Sequence, residues 1–207
     1  MPAPRKFTRA RLQAAALALV DTAGLDGLTM RSLATELVTG PMTIYNYVDG
    51  RDGLEQLVTE AVLASATWPD PSGDWRADVH AVAEGMWRAV RAHPHAIPLI
   101  LTRRSFDLPA LRPAEALVQA LARGGRSGTE LLVAFRTVAA FVTGLAQAEL
   151  AGPLSRDTDV SETTGRIAEL PFAGLAEIAK AAAASDPEAE FAEGMRIVLA
   201  GLHEKTR

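Results

Sequence analysis

The 207-residue chain contains no cysteine, which excludes disulfide bonds and thiolate metal sites. Long apolar runs are absent as well, and the stretch Ala96–Leu101 is interrupted by Pro98 and is far too short to span a bilayer. The first eleven residues, MPAPRKFTRAR, carry no apolar core of a signal peptide. These absences predict a cytoplasmic protein that has no membrane segment.

The signatures of common enzyme classes are also missing. The sequence has no glycine-rich phosphate loop, no pair of histidines four residues apart with a glutamate, and no nucleophile elbow. Of its four histidines (His80, His93, His95 and His203), His93 and His95 flank a proline instead of sharing a helix face. We therefore expect no catalytic residue, no metal site and no cofactor.

Alanine is abundant and β-branched residues are sparse, which predicts an all-α fold. Apolar spacing predicts helices over about residues 8–23, 29–37, 41–48, 51–67, 74–92, 114–122, 127–151, 172–184 and 187–203. Residues 102–113 are predicted as a loop, and the cluster Pro69-Asp70-Pro71-Ser72-Gly73 marks a module boundary. The helix at 127–151 is apolar nearly all round, which predicts burial on several sides.

Residues 28–54 predict a short helix, a tight turn, a second short helix and the start of a third. Gly40 can cap the second helix and Pro41 suits its first position. Ile44 and Val48 are its inward residues. Its outward residues carry aromatic, amide and hydroxyl groups, and they are Met42, Thr43, Tyr45, Asn46 and Tyr47. A short helix that exposes such groups suits the major groove of DNA.

The charge distribution favours contact with DNA through one end of the chain. The net charge of the whole chain is −4, yet residues 1–48 carry five basic side chains against three acidic ones. Four of these cations, Arg5, Lys6, Arg9 and Arg11, lie in the first eleven residues. A basic N-terminal segment on an otherwise acidic chain predicts that this segment binds DNA and that its affinity depends on the salt concentration.

Over about residues 8–63 the chain resembles the tetracycline-repressor (TetR) family of transcription regulators. Four segments carry the resemblance: the turn Ala23-Gly24-Leu25-Asp26-Gly27-Leu28, the helix Thr29–Leu37, the helix Pro41–Val48 with its internal tyrosine, and Arg51 followed by Leu54. The chain departs from the family pattern at three positions. Val38 stands where the family usually has glycine, Gly40 stands where it usually has a Ser/Thr cap, and Tyr47 replaces a histidine that is common near the end of the recognition helix. A β-branched residue in a turn that often needs positive φ predicts strain at Val38.

The second half resembles the ligand-binding domain of the tetracycline-repressor subgroup. The resemblance rests on Asp74-Trp75-Arg76, His93-Pro94, the helix at 129–151 and the segment Asp186–Phe191. Inducers in that subgroup are often metal chelates held partly by a histidine. This chain has no histidine between His95 and His203, so we do not expect a tetracycline–magnesium complex as its ligand.

The resemblance implies a ligand-responsive regulator, by the family's habit a repressor, that binds a palindromic operator as a homodimer and is released by a small-molecule effector. It implies a helix-turn-helix DNA-binding domain at 1–50, a connecting helix at 51–67, and an effector-binding and dimerisation domain at 68–207. The helices at about 129–151 and 188–203 are expected to pair with their copies. Alternatively, these two helices bury one another within a monomer.

The predicted DNA-binding residues are Arg9, Arg31, Thr43, Tyr45, Asn46, Tyr47 and Arg51. Asn46 can read adenine through its amide, and the tyrosines can contact phosphates or sugar edges. The arginines are expected to hold phosphates. Two alternatives stay open: one tyrosine can instead belong to the core of the headpiece, and the basic arm can be a disordered tail.

The predicted effector-binding residues mix aromatic rings with polar groups, and they are Trp87, His93, His95, Phe106, Phe135 and Gln147. Core packing or a surface loop is the alternative for each of them. Arg103 and Arg104 are predicted to gate the pocket, to attract an anion or to lie in a solvated loop. The alternative function is a helical small-molecule-binding protein that does not bind an operator.

Overall fold

The computed structural model describes residues 7–103, 106–151, 165–167, 169 and 171–202, and within them it contains helices and no strand. The elements are α1 (Arg9–Gly27), α2 (Met30–Glu36), α3 (Pro41–Tyr45), α4 (Gly50–Ser65), α5 (Trp75–Arg91), a 3₁₀ turn (Pro94–Ala96), α6 (Ile97–Thr102), α7 (Leu108–Arg123), α8 (Gly128–Ala151), α9 (Ala173–Ala184) and α10 (Pro187–Gly201). The predicted all-α fold is confirmed.

The helices form two compact units. The first comprises the described residues up to Thr67 together with Arg88–Ala116, and the second comprises Trp68–Trp87 and the described residues from Leu117 onward. The functional division of the chain at residue 68 stays a prediction.

The core of the first unit forms where α1 packs on α4. Its fully or almost fully buried side chains recur at helical spacing, and they are Leu12, Ala16, Val20, Leu33, Ala34, Ile44, Leu54, Leu57, Val58 and Val62. Thr8 caps α1 by accepting a hydrogen bond from the Arg11 amide at 3.3 Å. Gly24 has a positive φ (66°) with ψ −175°, a conformation that glycine tolerates, and it interrupts the first regular helix, although helical turns continue to Gly27.

Local sequence signals also account for the helix-turn-helix segment. Thr29 and Ser32 form a capping box at the start of α2, with reciprocal backbone-to-hydroxyl bonds of 2.9 and 3.0 Å. Gly40 and Pro41 begin α3 as predicted, and Ile44 and Val48 are buried.

The predicted length of the second short helix is wrong, because α3 ends at Tyr45 and not at residue 48. The amide of Asn46 donates to Thr43 O at 3.3 Å, and that of Tyr47 donates to Ile44 O at 2.9 Å. These i→i+3 bonds tighten the end of the helix into a turn.

The turn before α3 holds the strain that the sequence predicts. Val38 has φ 52° and is the one non-glycine residue with positive φ in the described part of the chain. Its side chain is 85% exposed, so core packing does not offset the cost of this conformation. The turn therefore keeps the steric cost of a positive φ at a β-branched residue.

The predicted loop at 102–113 is wrong from Leu108 onward, because α7 runs through Leu108–Arg123 with Pro113 inside it. Pro113 removes one helical hydrogen bond, which is why the sequence indicates a break there. However, Ala110, Leu117, Ala120 and Leu121 form a buried stripe on the same helix. Burial of that stripe stabilises the helix by more than the local defect costs.

An aromatic cluster forms the core of the second unit. Trp87 stacks on Phe191 with ring centroids 4.8 Å apart, and His80 and Phe141 contact the same ring at 5.6 and 5.8 Å. Gly194 permits the close approach of Phe141, since a Cβ at this position would lie 2.4 Å from the Phe141 ring. Phe191 and Met195 of α10 are buried, one helical turn apart on the inner face of the helix.

α8 is less buried than its composition predicts. One stripe of small residues is buried, Ala134, Val138, Val142 and Ala146, whereas Leu132 and Val133 are 45% and 57% exposed. The expectation that this helix is buried on several sides is therefore wrong for the single chain. By length and composition Gly128–Leu150 could also cross a membrane, and 22% of its apolar window is buried. A single helix of this kind is weak support for a membrane span, because core helices of water-soluble proteins have the same composition.

An ion pair between half-exposed Arg9 and buried Glu60, which the sequence does not announce, joins α1 to α4. Glu60 is fully buried, and it accepts hydrogen bonds from Arg9 Nε and Nη2 at 2.8 Å and from Gln13 and Gln56 at 2.9 Å. Burial alone would raise the pKa of Glu60, but the hydrogen bonds from these three side chains outweigh it and hold the pKa below the ordinary value.

We expect Glu60→Gln to destabilise the protein by about 2 kcal/mol at pH 7, because the amide cannot accept all the hydrogen bonds that Arg9, Gln13 and Gln56 donate to the buried carboxylate. The Arg9 guanidinium is 45% exposed, so water and Asp107 still solvate its charge. Since the folded-state pKa of Glu60 is lowered from 4.5, its contribution is complete above that value and is lost as the pH falls through the folded-state pKa. Urea denaturation at pH 7 and at pH 3 measures both effects. Glu193→Gln is the control, because Glu193 lies in an exposed pair with Arg196 and its loss should leave stability unchanged. Equal effects of the two substitutions at pH 7 would contradict this prediction.

We expect Val38→Gly to stabilise the protein by about 1 kcal/mol, because glycine adopts positive φ without the steric cost of a Cβ. Thermal denaturation should show a rise of about 2–4 °C in the melting temperature. Val38→Ala retains a Cβ and should give a smaller gain. A lower melting temperature for the glycine variant would show that the turn is not strained.

Candidate nucleic-acid interface

The outward face of α3 presents one apolar and two polar side chains. Met42 and Tyr45 are 75% and 54% exposed, and Asn46, which follows the helix directly, is also exposed. These three residues lie at i, i+3 and i+4, which places them on one face. Ile44 is fully buried on the opposite side. The helix thus exposes a thioether, a phenol and an amide while a single aliphatic side chain anchors it.

The two tyrosines of the chain have different environments. Tyr45 is exposed, whereas Tyr47 is half-buried, and its hydroxyl accepts a hydrogen bond from the Phe7 amide at 3.0 Å. The rings of Phe7 and Tyr47 meet edge to face at 6.0 Å. Tyr47 therefore packs into the headpiece, which is the alternative that the sequence left open for one tyrosine. Thr43 is also half-buried.

Arg31 lies in the first turn of α2, and its side chain is exposed. Within the described residues it makes no ion pair, so its guanidinium carries a full, solvated positive charge at one end of the helix-turn-helix segment. This is the property that a phosphate contact requires.

Arg51 is held by the protein itself. Its Nη1 and Nη2 donate to the carbonyls of Leu28 and Leu25 at 2.7 and 2.9 Å, and its Nε donates to Glu55 at 2.5 Å. Glu55 is shared with Arg103, which follows α6 and also binds Asp52 at 2.9 Å. Arg51 thus ties the start of α4 to the segment before α2, a role that the sequence did not reveal.

Of the four basic residues in the first eleven positions, the structure describes Arg9 and Arg11. Arg9 makes two hydrogen bonds to the buried Glu60, which balances its charge and raises its pKa. Arg11 is exposed, with its guanidinium carbon 5.1 Å from the centre of the Phe7 ring. Arg5 and Lys6 lie outside the described residues.

A cleft of about 620 Å³ lies beside the start of α4, and it is lined by Arg9, Tyr47, Val48, Asp49, Gly50, Arg51, Asp52, Gly53 and Gln56. The lining includes two arginines and two aspartates, so it is close to charge-balanced. This cleft lacks the mostly apolar lining that is typical of small-molecule sites.

The predicted effector-binding residues are distributed over both units. His93, His95 and Phe106 belong to the first unit, and Trp87, Phe135 and Gln147 belong to the second. Trp87 is buried against Phe191, Phe135 is half-buried, and Phe106 and Gln147 are exposed.

The two histidines of the predicted effector site attach the 3₁₀ turn to α1. Nδ1 of His93 lies 2.9 Å from Oδ1 of Asp21, and Nδ1 of His95 lies 3.1 Å from the carbonyl oxygen of Val20. Arg104 lies outside the described residues, and the effector site stays a prediction. In the part of the chain that the structure describes, no group of three or more His, Asp or Glu side chains is arranged to hold a metal ion.

Comparison with known proteins gives likenesses along almost the whole chain. Residues 68–206 match the family model described as "Tetracyclin repressor-like, C-terminal domain". The chain is 30% identical over 202 residues to an HTH-type transcriptional regulator of Saccharopolyspora erythraea, and the match covers 95% of this chain and 84% of that protein. It is 32% identical over 146 residues to the HTH-type transcriptional repressor DrrR1 of Streptomyces coeruleorubidus, covering 70% of this chain and 54% of DrrR1.

A solved structure is also similar to this chain over almost its whole length. The TetR family protein ActR of Streptomyces coelicolor, in complex with (S)-DNPA, superposes with a TM-score of 0.79 at 28% identity, over 97% of this chain and 98% of ActR. The helical fold, the helix-turn-helix segment and these matches agree, and the chain therefore belongs to the tetracycline-repressor family of transcriptional regulators.

Proposed function

We propose that this protein is a ligand-responsive repressor that binds a palindromic operator as a homodimer and is released by a small-molecule effector. One observation carries the proposal: α3 and the residue after it expose the polar side chains of Tyr45 and Asn46 while Ile44 anchors the helix to the core. The matched DrrR1 is named a transcriptional repressor, and ActR was solved with a small molecule bound. A repressor acts where the DNA is, so we place this protein in the cytoplasm.

In this proposal α3 reads bases and α2 holds the backbone. Asn46 is exposed and can form two hydrogen bonds with the N6 and N7 atoms of an adenine. Tyr45 and Thr43 lie on or beside the same face and can reach phosphate or base edges. Arg31 contacts a phosphate from the first turn of α2.

Tyr47, Arg9 and Arg51 have a different part in this proposal. Each of them already binds another group of the first unit, so we propose that they position α3 and α4. Direct contact of these three side chains with phosphates stays a prediction.

The surface of α8 and α10 supports the homodimer. The two helices pack on each other, yet both leave large apolar side chains in solvent, namely Leu132, Val133 and Ile197. Burial of this surface against a second copy would form a four-helix interface, as the sequence predicts. The alternative of burial within a monomer accounts for the Ala134–Ala146 stripe but leaves those three side chains exposed.

The proposed release step acts through α4. Arg103 connects the end of α6 to Asp52 and Glu55 of α4, so a displacement of α6 would move α4 and the helix-turn-helix segment tied to it by Arg51. An effector can drive this change only if it binds the two conformations with different affinity. We expect no catalytic activity.

We expect Asn46→Ala to weaken operator binding about 10- to 100-fold and to relax the base preference at one position per half-site, because the amide reads a base. Arg31→Ala should weaken binding to all sequences and reduce the salt dependence by about one phosphate contact per half-site. Fluorescence anisotropy with the DNA upstream of the protein's own gene, at several salt concentrations, measures both. Lys180→Ala removes an exposed cation of α9 and is the control that should leave affinity unchanged.

One result would contradict the proposed operator binding. A folded, dimeric protein that shows no salt-dependent binding to that DNA would favour the alternative of a helical small-molecule-binding protein.

We expect Val133→Glu to convert the dimer into monomers and thereby to weaken operator binding, because the substitution places a charge on the exposed apolar surface of α8. Sedimentation velocity measures the assembly state. Val38→Glu introduces the same charge at an 85% exposed position of the first unit and should leave the dimer intact. A Val133→Glu protein that stays dimeric would place the interface elsewhere.

A further inference from the structure

Met42 is an apolar residue that the folded first unit does not use. Its side chain is 75% exposed although it lies in a helix of five residues whose core contact is made by Ile44. Exposure of an unbranched apolar side chain at this position brings no packing energy to the fold. Met42 is therefore available for a partner that approaches the outer face of α3.

The chemistry of that partner follows from the side chain. The thioether of Met42 accepts hydrogen bonds only weakly, so it cannot read the polar donors and acceptors of base edges. The edges of base pairs in the major groove are polar, with the exception of the C5-methyl group of thymine. A flexible and polarisable methionine packs readily against such a methyl group.

The position of Met42 also fits a contact with bases. It is the second residue of α3, directly after Pro41, and the first residues of a recognition helix approach base edges most closely. Asn46 lies four residues later, which corresponds to about 6 Å along a helix. Successive base pairs are about 3.4 Å apart, so side chains separated by 6 Å reach bases one or two steps apart.

From these observations we propose that Met42 is a specificity-determining residue, which packs against the methyl group of a thymine one or two base pairs from the adenine contacted by Asn46. This inference rests on the proposed operator binding. It adds a base preference that comes from apolar contact instead of hydrogen bonding.

Replacement of single thymines by deoxyuridine tests the contact, because deoxyuridine has the same hydrogen-bonding groups and lacks only the methyl group. Each thymine of the operator is replaced in turn, together with its symmetry mate, and affinity is measured by anisotropy. For the unaltered protein we expect one symmetric pair to weaken binding by about three- to fivefold per half-site, since one methyl group loses its apolar contact.

Three variants assign the effect to one side chain. Met42→Ala should weaken binding to the thymine operator and abolish the difference between thymine and deoxyuridine at that position. Met42→Leu retains an apolar side chain of similar size and should retain the difference. Val38→Ala shortens another highly exposed apolar residue of the same segment, and it should keep the full difference.

The possible failures are distinguishable. If the unaltered protein binds its operator but no deoxyuridine replacement changes affinity, or if Met42→Ala keeps the full methyl effect, the inference about Met42 is overturned and operator binding stands. If a folded protein binds no operator DNA, the proposed function fails, and the Met42 contact fails with it. Circular dichroism verifies that each variant is folded, which the exposure of both residues leads us to expect.

Discussion

The buried carboxylate of Glu60 is the interaction on which the geometry of the first unit depends. A charge removed from water is costly unless its hydrogen bonds are complete. Glu60 reaches that state only when α1 supplies Arg9 and Gln13 while α4 supplies Gln56. Apolar contact between two helices tolerates small shifts, whereas this set of hydrogen bonds does not. The pair therefore fixes the position of α1 along α4.

Other polar contacts extend from these two helices to their neighbours. Arg51 of α4 binds the carbonyls of Leu25 and Leu28, and His93 of the segment before α6 binds Asp21 of α1. A helix of five residues is not stable in isolation, so α3 depends on this framework for its existence as well as for its orientation. The outward face that we propose as the DNA reader is thus a property of the whole unit.

The structure separates the cations of the headpiece by role. Arg9 and Arg51 are bound to groups of the protein, and Arg31 is exposed and makes no ion pair within the described residues. In the proposed complex, α2 would then supply affinity for phosphates through Arg31, and α3 with Asn46 would supply selectivity for base edges. Since the whole chain has a net charge of −4, this local arrangement matters more for DNA binding than the overall charge does.

The sequence by itself determined the features that depend on residues a few positions apart. The all-α fold, the start of α3 at Pro41 and the strain at Val38 were all predicted, because spacing, capping and backbone conformation are local properties. The outward location of Asn46 followed in the same way from the inward location of Ile44 and Val48.

Only the tertiary structure decided which polar groups are paired and which surfaces are covered. Arg9 and Glu60 are 51 residues apart, and Arg51 is 23 residues from Leu28, so no local pattern announces either contact. Helix α7 forms through Pro113 because a buried stripe stabilises it, and α8 is only partly buried in the single chain although it is strongly apolar. In each case the deciding energy comes from distant residues that fold onto the segment, and the linear sequence does not show which residues those are.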